Sequence, residues 1–530
     1  MIGSLPGLMQ DYALTVDRFL DHGAKWHGEA RVITAGVAGQ DDDAVGYAPL
    51  RGRANRLSGA LLDLGLSPGD RIATLAWNTR HHVEVWYGAM GVGLVCHTLN
   101  PRLTVAHLSA MITQAGDRVL AVGAGLRDMA ETLLAECPCL EHLILLDGET
   151  PEAGRADVSH LEGLLTARGR QVEWGRFDER AEAGLCFTSG TTGAPKGVTY
   201  THRSNYLHTI RALQADAMAL TAKDAVLVAV PMFHANAWGL PFAAPAVGAD
   251  LILPGRITDG ASLARLIDRH QVTVGVGVPT VWLGLLDHLD ATGTETHSLE
   301  RIIIGGSSCP DSLLQRMERR FGATVQTSWG MTELSPLGAI SPRTDQPGAA
   351  RGSGRPPMGL DLLLTDANGA PLPDQRNTVG HLKVKGQSVV RRYFGAPEDA
   401  TDAGGWFDTG DLAVLDEAGN LTLAGRSKDL IKSGGEWINP VEIEEIVGAL
   451  PAVGLVAVIG RADPKWGERP LMVIEPARGQ QIEDAVLKAT LKGQVADWWI
   501  PERIVRVEAM PLAATGKINK AELRATYGGA

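Results

Sequence analysis

Cysteine and basic residues are both scarce in this sequence. Its 530 residues include five cysteines, too few for a disulfide framework, and Cys137-Pro-Cys139 lacks the two-residue spacer of a redox or zinc pair. We therefore expect reduced thiols in a cytoplasmic protein. Lysine and arginine total 49 against 61 acidic residues, a net charge of -12. This balance argues against general nucleic-acid binding, which needs a basic surface, although a local basic cluster can still hold phosphates.

Long apolar runs are also missing. No stretch approaches the roughly 20 apolar residues of a transmembrane helix. Residues 1–20 carry acidic residues and no long apolar core, unlike a secretory signal. Hydrophobic residues make up 45% of the chain and charged residues 21%, which is a globular composition. The length exceeds that of one ordinary compact core, so we expect two or more domains.

Short apolar runs alternate with helix-like stretches along most of the chain. Continuous runs of Val, Ile and Leu are typical of strands buried on both faces of a parallel sheet. The sequence therefore predicts an α/β fold with a large unit of layered α/β subdomains. The predicted strands are Arg71–Ala76, Val119–Val122, Leu143–Leu146, Gly184–Phe187, Ala225–Val230, Leu251–Leu253, Val272–Val278 and Ile302–Ile304, and helices are predicted around 82–93 and 105–114.

The pattern changes near residue 350. A segment rich in Gly and Pro is followed by short alternating strands, which predict a small β subdomain at the end of the large unit. A boundary near residue 426 leaves roughly a hundred residues, the size of a small domain. The prediction is an N-terminal domain of residues 1–425 and an α+β C-terminal domain of residues 426–530. The predicted elements are strands at His381–Lys385, Leu412–Leu415, Asn420–Leu423 and Val456–Ile459, and a helix at Pro440–Leu450.

The run from Thr188 to Gly197 is suited to holding phosphate. Its glycines let the backbone bend and approach a ligand closely, and successive N–H groups attract anions. The preceding apolar strand places the run at a strand end, where α/β folds bind ligands. A plain surface turn would have to account for hydroxyls, glycines and a lysine together, and the spacing is not that of a Walker A loop. The loop residues are Thr188, Ser189, Gly190, Thr191, Thr192, Gly193, Lys196 and Gly197.

Two segments that follow apolar runs can complete such a site. His234 and Trp238 can wall an apolar ligand pocket, although core packing explains them equally well at this point. Thr332 and Glu333 follow the flexible Gly330, and a hydroxyl beside a carboxylate can contact phosphate and Mg²⁺ together. The alternative is a helix N-cap formed by Thr332, and both can hold.

Three later residues or pairs are open to similar double interpretations. Asp411 can accept ribose hydroxyls or form an Asx turn before a strand. Gly434 and Gly435 can let a thin chain pass close to the backbone, or simply turn before a helix capped by Asn439. Lys517, after Thr-Gly, is by itself an ordinary solvated lysine.

All these segments, in this order, resemble the motifs of the adenylate-forming superfamily, which includes acyl-CoA synthetases, peptide-synthetase adenylation domains and beetle luciferases. The His234/Trp238 pairing looks like bacterial medium- and long-chain fatty-acyl-CoA ligases, in which the tryptophan gates the acyl tunnel. Amino-acid-activating relatives usually carry an Asp where this chain has Ala235, so an amino-acid substrate is disfavoured. Trp329 replaces the tyrosine common in the wider superfamily, and stacking on adenine remains possible.

The resemblance implies roles for individual residues. Catalysis is implied for Lys517, Thr332 and His234. Binding of ATP or AMP is implied for Thr188, Ser189, Gly190, Thr191, Thr192, Gly193, Lys196, Ala235, Gly306, Thr327, Ser328, Trp329, Thr332, Asp411, Arg426, Lys428, Lys432 and Trp437. The implied acyl pocket contains His234, Trp238 and Gly330, the implied CoA loop contains Gly434, Gly435 and Glu436, and the implied Mg²⁺ ligands are Thr188 and Glu333.

The same resemblance implies the reaction. An aliphatic carboxylic acid and ATP give an acyl-adenylate and diphosphate, and CoA then displaces AMP to give acyl-CoA. The C-terminal domain is expected to be mobile and to swivel about Lys428 between the two steps. A short, thioether or aryl acid, or loading of an acyl carrier protein, are the alternatives, and a homodimer through the N-terminal domain is implied by the long-chain relatives.

Overall fold

The computed structural model describes residues 8–36, 40–147, 157–188, 195–343, 352–434, 436–513 and 516–529. Helices and strands alternate along the first part of the chain, as the apolar runs predict. Its elements are α1 (Asp17–Trp26), β1 (Arg31–Thr34), β2 (Asp43–Gly46), α2 (Tyr47–Asp63), β3 (Arg71–Leu75), α3 (Arg80–Met90), β4 (Val95–Leu99), α4 (Val105–Ala115), β5 (Val119–Val122), α5 (Arg127–Glu136), β6 (His142–Leu145), β7 (Val158–His160), α6 (Leu161–Arg168) and β8 (Glu182–Phe187).

The alternation continues up to residue 340. The elements of this second part are β9 (Gly197–Thr201), α7 (His202–Ala212), β10 (Ala225–Val228), a 3₁₀ turn (Ala235–Gly239), α8 (Leu240–Val247), β11 (Asp250–Leu253), α9 (Gly260–His270), β12 (Val274–Gly277), α10 (Pro279–Thr292), β13 (Arg301–Ile304), α11 (Asp311–Phe321), β14 (Thr324–Gly330), a 3₁₀ turn (Thr332–Leu334) and β15 (Leu337–Ile340).

Two large sheets organise these elements. One has the strand order β7-β6-β5-β3-β4-β8-β9, and its pairs are parallel except β8 with β9. The other has the order β15-β14-β13-β12-β10-β11-β1-β2, with antiparallel pairs only at its two edges. Helices α1, α2, α3 and α8 share one apolar core with both sheets, whereas α4 and α5 cover the outer face of the first sheet and α9, α10 and α11 that of the second. The result is five layers, and the burial of both sheet faces explains the continuous apolar strands.

Short antiparallel strands follow, as the alternating pattern predicts. They form one sheet in the order β16 (Leu360–Thr365), β17 (Gly380–Gly386), β18 (Phe407–Leu415) and β19 (Leu421–Arg426). A hairpin turn joins the last two strands, and the Asp416 carboxylate accepts hydrogen bonds from the Asn420 backbone and side chain across it. Asp411 was open to an Asx turn before a strand, but it lies inside β18, directly opposite Arg426 of β19.

The remaining residues build a separate mixed sheet. Its elements are a 3₁₀ turn (Ser427–Asp429), β20 (Ile431–Ser433), β21 (Glu436–Ile438), α12 (Pro440–Gly448), β22 (Val453–Asp463), β23 (Gly467–Pro476), α13 (Asp484–Leu491), a 3₁₀ turn (Asp497–Trp499), β24 (Arg503–Arg506) and α14 (Lys520–Tyr527). The strand order is β21-β20-β23-β22, with β24 beside β23. Asn439 caps α12 by accepting the Val441 N–H at 3.1 Å, with Pro440 at the first helical position as predicted.

The predicted fold class is thus confirmed, and the division at residue 426 stays a prediction. In the described part of the chain, no helix combines the length and apolar character needed to cross a membrane. Three predicted strands are longer than the observed ones: Arg71–Ala76 ends at Leu75, Ala225–Val230 ends at Val228, and Val272–Val278 covers only Val274–Gly277. The apolar run overshoots because Val230 and Val278 are buried by tertiary packing after the strand has ended.

A matched pair of glycines tests the packing of the second sheet. A Cβ on Gly275 would lie 2.3 Å from the Trp282 ring, whereas a Cβ on Gly284 meets nothing within 4 Å. Overpacking a core costs about 1–3 kcal/mol, so Gly275→Ala is expected to lower the midpoint of thermal unfolding. Gly284→Ala, inside α10, is expected to hold or raise it, because alanine favours helix by about 0.5–1 kcal/mol. Equal midpoints for the two variants would contradict this packing.

Candidate functional site

A cavity of about 2640 Å³ opens where the carboxyl ends of the sheet strands, the four-stranded sheet and the C-terminal residues meet. It gathers most of the residues whose roles the resemblance implied. The predicted residues that line it are Thr188, Lys196, His234, Ala235, Trp238, Gly306, Thr327, Ser328, Trp329, Gly330, Thr332, Glu333, Asp411, Arg426, Lys428 and Lys517. Such a site at the carboxyl ends of parallel strands is the usual ligand position in an open α/β sheet.

The predicted phosphate loop lines this cavity with its described ends, Thr188 and Lys196. The backbone N–H of Thr188 donates to the carbonyl of Lys196 at 2.9 Å, and this bond closes the loop between the ends of β8 and β9. The Lys196 ammonium lies over the ring of Tyr393, 4.8 Å from its centroid. Gly197 is required here because a Cβ would lie 2.9 Å from the Cβ of Phe394. The predicted phosphate contacts of Ser189, Gly190, Thr191, Thr192 and Gly193 lie outside the described residues.

Asp411 is the most constrained carboxylate of the cavity. It is 2% exposed, its Oδ1 pairs with the Arg426 Nε at 2.7 Å, and its Oδ2 accepts the indole N–H of Trp329 at 3.0 Å. The pair follows from the strand register, which sets Asp411 and Arg426 directly across from each other. Burial raises the pKa of Asp411, and Arg426 and the Trp329 hydrogen bond act against that rise. The arrangement holds an acceptor group at the cavity wall with both oxygens oriented.

Trp329 therefore has a role that the sequence did not indicate. Stacking on adenine was the expectation, but the ring is 5% exposed and packs against Gly338, where a Cβ would lie 2.4 Å from it. Its indole N–H donates a hydrogen bond to Asp411. Trp329 thus orients the carboxylate, whatever contact its ring makes with a ligand.

Thr332 and Glu333 sit in a 3₁₀ turn at the end of β14. The residue before this turn is Met331, so Thr332 is the first residue of the turn and not its cap. Glu333 is 8% exposed, and its Oε1 accepts the hydroxyl hydrogen of Tyr393 at 2.9 Å. Tyr200 donates to the carbonyl of Thr332 at 2.9 Å. Tyr393, which sequence reasoning missed, thus contacts both Glu333 and the phosphate-loop lysine.

The residue set around Glu333 fits a magnesium ion that arrives with its nucleotide. Within the described residues no group of three or more His, Cys, Asp or Glu side chains is placed to hold a metal. Mg²⁺ commonly binds through one or two carboxylates together with substrate phosphates and water. Glu333 supplies such a carboxylate, and the Thr188 hydroxyl lines the same cavity. A bound ion would neutralise phosphate charge there.

His234 precedes a left-handed turn, and Trp238 lies within it. Ala235, Asn236, Ala237 and Trp238 have φ between 45° and 56°, and Gly239 follows at 78°. Each non-glycine residue in this region costs about 1–2 kcal/mol, so the surrounding core must enforce the turn. The turn places the Trp238 ring against the Gly305–Gly306 backbone. A Cβ on Gly305 would lie only 3.2 Å from the Trp238 ring. Burial lowers the pKa of His234 to about 4, with a contribution from Lys517, so the imidazole is neutral at pH 7.

Gly306, Thr327, Ser328 and Gly330 are held by close packing and by hydrogen bonds to the backbone. Gly306 has a φ of 85°, which favours glycine, and lines the cavity. Ser328 Oγ donates to the carbonyl of Ile304 at 3.0 Å, and Thr327 Oγ1 donates to that of Gly352 at 2.7 Å. A Cβ on Gly330 would lie 2.3 Å from the carbonyl oxygen of Pro336, so only glycine fits there.

Lys517 reaches this cavity from the C-terminal sheet unit. The carbonyl of Gly516 accepts the Thr280 hydroxyl at 3.4 Å, and a Cβ on Gly306 would lie 3.8 Å from the Lys517 Cε. Burial lowers the pKa of Lys517, Arg426 lowers it further, and Asp411 and Glu333 oppose the change. Lys517, the lysine that the sequence motif identified in the tail, thus lies near the Asp411 and Glu333 carboxylates.

Four predicted residues are not brought to the cavity in this arrangement. Lys432, Gly434, Glu436 and Trp437 belong to the β20–β21 hairpin, and all four are exposed. The Lys432 ammonium lies over the Trp437 ring at 5.4 Å. Gly435 lies outside the described residues. Lys428 lines the cavity near the junction of the two sheet units. Contacts of the hairpin with nucleotide or CoA therefore stay predictions.

The fold and the cavity together define an AMP-binding enzyme. The sequence profile of the AMP-binding enzyme family matches residues 20–394, and that of the AMP-binding enzyme C-terminal domain matches residues 442–517. The chain belongs to this family. The predicted enzyme class, an AMP-forming acid–CoA ligase, is confirmed by its curated relatives.

Two relatives and one solved structure illustrate the similarity. The chain is 41% identical to the 3-methylmercaptopropionyl-CoA ligase of Ruegeria pomeroyi, over 98% of each chain. It is 37% identical to the medium-chain-fatty-acid–CoA ligase of Ectopseudomonas oleovorans, over 98% of this chain and 97% of that one. The crystal structure of ATP-bound MatB from Rhodopseudomonas palustris superposes with a TM-score of 0.85 at 25% identity, covering 98% of this chain and 99% of MatB.

The Trp329–Asp411 hydrogen bond can be tested by removing the donor. Trp329→Phe keeps the aromatic ring and deletes the indole N–H. A hydrogen bond to a charged group contributes about 1.5–3 kcal/mol, so we expect roughly 10- to 100-fold weaker ATP binding by calorimetry. Trp26→Phe, at a residue that is 64% exposed and does not line the cavity, is the matched control and should bind ATP as the wild type does. ATP affinity unchanged in Trp329→Phe would contradict the role given to the indole.

The electrostatic coupling of Arg426 to Lys517 predicts a pH effect. Because the Arg426 charge lowers the pKa of Lys517, Arg426→Met should raise that pKa. If protonated Lys517 is the active form, the alkaline limb of kcat/KM for adenylation then moves to higher pH, even though overall activity falls. Arg176→Met, at a side chain that is 75% exposed, is the control. A limb that stays in place, or moves to lower pH, would contradict the coupling.

Proposed function

We propose that this enzyme activates an aliphatic carboxylic acid with ATP and transfers the acyl group to CoA. The observation that carries the proposal is the meeting of Lys517 with Asp411, Arg426 and Glu333 at one cavity. Lys517 from the tail, the paired Asp411 and Arg426 of two adjacent strands, and Glu333 from the turn after β14 together form a site with both charge signs. Such a site suits a nucleotide, because ribose hydroxyls can donate hydrogen bonds to a carboxylate and phosphates can pair with cations.

In the first step the residues act on a bound nucleotide and acid. Asp411 accepts the ribose hydroxyls, with its carboxylate kept in place by Arg426 and Trp329. Lys517 and Thr332 donate to the α-phosphate region, where negative charge spreads in the transition state. Glu333 and Thr188 would hold a Mg²⁺ ion that accompanies the phosphates, and the ion would neutralise part of their charge. The products are the acyl-adenylate and diphosphate.

The second step needs another arrangement of the C-terminal residues. Lys517 and Gly434 belong to the same small sheet unit, and of these two described residues Lys517 lines the cavity whereas Gly434 does not. A rotation near Lys428 would withdraw Lys517 and bring the hairpin to the acyl-adenylate. The CoA thiol then attacks the acyl carbon, AMP leaves, and a thioester forms.

The acid is proposed to be aliphatic. Apolar side chains line the cavity beside His234 and Trp238, among them Met218, Pro336 and Leu337. Ala235 offers no carboxylate for an ammonium group. The fatty-acid ligase relatives favour a medium or long chain, and the 3-methylmercaptopropionyl-CoA ligases, at 41% identity, favour a short thioether acid as the second candidate.

A substrate panel tests the proposal. The purified enzyme is incubated with ATP, Mg²⁺ and free CoA, and AMP release is measured for saturated acids of increasing length, 3-(methylthio)propionate, benzoate and an amino acid. Turnover that peaks with an aliphatic or thioether acid supports the proposal, and the peak identifies the class. AMP release that requires a pantetheinyl carrier protein in place of CoA would refute it in favour of carrier loading.

Lys517→Ala separates the two half-reactions. Loss of the cation that faces the nucleotide is expected to slow adenylation by roughly 10²–10³-fold or more, by analogy with the loss of one transition-state donor. Carboxylate-dependent exchange of pyrophosphate into ATP measures this step. Thioester formation from synthetic acyl-adenylate and CoA should remain near the wild-type rate, because Lys517 is proposed to act only in the first step. Wild-type exchange in the variant would refute its role.

Oligomeric state is a separate proposal. The fatty-acid ligase resemblance implies a homodimer formed through the N-terminal domain. Sedimentation velocity of the purified protein would measure a species of twice the chain mass of 56.2 kDa if this is right, and one of the chain mass if it is wrong.

A further inference from the structure

Helix α7 carries two buried polar side chains whose role the reaction above leaves open. Arg211 and His208 are 3% and 1% exposed, and they are one helical turn apart. Helix α7 follows β9 without a gap and is secured by a capping box between Thr201 and Ser204. It is therefore connected rigidly to the strand that returns from the phosphate loop.

Arg211 binds the turn that follows Glu333. Its Nη2 donates to the carbonyl of Leu337 at 2.7 Å, with a longer contact of 3.5 Å to that of Leu334. Its Nη1 donates to Ser388 Oγ at 2.8 Å, and that hydroxyl donates to the Leu334 carbonyl at 3.1 Å. Among the residues described, Arg211 forms no ion pair with a carboxylate.

His208 fixes the same turn from the other side. Its Nε2 accepts the backbone N–H of Leu337 at 3.1 Å. The neighbouring Pro336 carbonyl accepts the Met331 N–H at 3.1 Å and packs against Gly330, so the backbone on both sides of Thr332 and Glu333 is tied to this turn. The His208 ring also touches Gly239, where a Cβ would lie 3.0 Å from it, at the end of the Trp238 turn.

A buried guanidinium without a carboxylate is costly, and an apolar side chain of similar size would pack at less expense. Arg211 instead directs its donors at backbone carbonyls of a single turn. A neutral side chain could stabilise the core equally well, so stability alone does not explain this arginine. Its hydrogen bonds instead indicate that it fixes the position of the Leu334–Leu337 turn. Helix α7 thereby contacts three segments: strand β9 after the predicted phosphate loop, the turn after Glu333, and the end of the Trp238 turn.

We propose that Arg211 and His208 are positioning residues for adenylation, which hold the Leu334–Leu337 turn so that Glu333 and Thr332 face the nucleotide. The inference rests on the proposed function. Neither side chain lines the cavity. They act through the backbone of the turn, and Arg211 supplies most of the hydrogen bonds.

The test replaces Arg211 with Met, which has a similar volume and no donors. ATP binding is measured by calorimetry at several Mg²⁺ concentrations without acid, and both half-reactions are assayed. We expect the Mg²⁺ concentration that gives half-maximal ATP affinity to rise about tenfold or more, and adenylation to slow by a similar factor. Thioester formation from synthetic acyl-adenylate should stay within about twofold of the wild type.

Two further variants keep the test decisive. Arg203→Met lies on the same helix and removes a surface pair with Glu179, so its Mg²⁺ dependence should match the wild type. Ser388→Ala is a milder change that deletes the hydroxyl between Arg211 and Leu334, and it should shift the Mg²⁺ dependence in the same direction even if Arg211→Met fails to fold.

Two outcomes would overturn the proposal. One is a Mg²⁺ dependence of Arg211→Met, or of Ser388→Ala if the former does not fold, that equals that of Arg203→Met. The other is an equal loss of both half-reactions at unchanged Mg²⁺ dependence, which would make the residues merely structural. Failure of the proposed function itself is distinguishable, because the wild-type enzyme would then release no AMP with any acid.

Discussion

The pairing of Asp411 with Arg426 underlies the whole site. A carboxylate that is 2% exposed keeps its charge only if nearby donors replace the water it has lost. Arg426, on the neighbouring strand, provides a compensating positive charge, and Trp329, on a different sheet, provides a neutral hydrogen-bond donor. Lys517 then completes the set from the C-terminal unit. One buried carboxylate thus interacts with a residue of the adjacent strand β19, with a residue of β14 and, through electrostatics, with a residue of the C-terminal unit.

A second set of charged side chains is ordered on the Glu333 side of the cavity. Tyr393 donates to Glu333 and lies beneath the Lys196 ammonium, so one phenol contacts both a carboxylate and a lysine of the cavity. Backbone strain at Trp238 and tight glycine contacts at Gly330 show that these walls are held by packing and not by local preference. A preorganised polar wall is what charge stabilisation in a transition state requires.

Much of the fold was predictable because its signals are local. Buried strands need apolar residues on both faces, so strands such as Val119–Val122 were identified to the residue. Helix α12 was placed by a cap and a proline that act within one turn. Errors occurred where an apolar run continued past the strand, at Val230 and Val278, since burial after a strand leaves the same trace in the sequence as the strand itself.

The sequence by itself determined the family, the order of the motifs and the kinds of side chain available for the chemistry, because these depend on residue identity and short spacing. Tertiary structure alone decided three contacts. Trp329 donates a hydrogen bond to Asp411, Tyr393 contacts both Glu333 and Lys196, and Arg211 donates to the turn after Glu333. Hydrogen bonds depend on distance and direction between atoms, and for residues separated by tens of positions only the folded chain sets both.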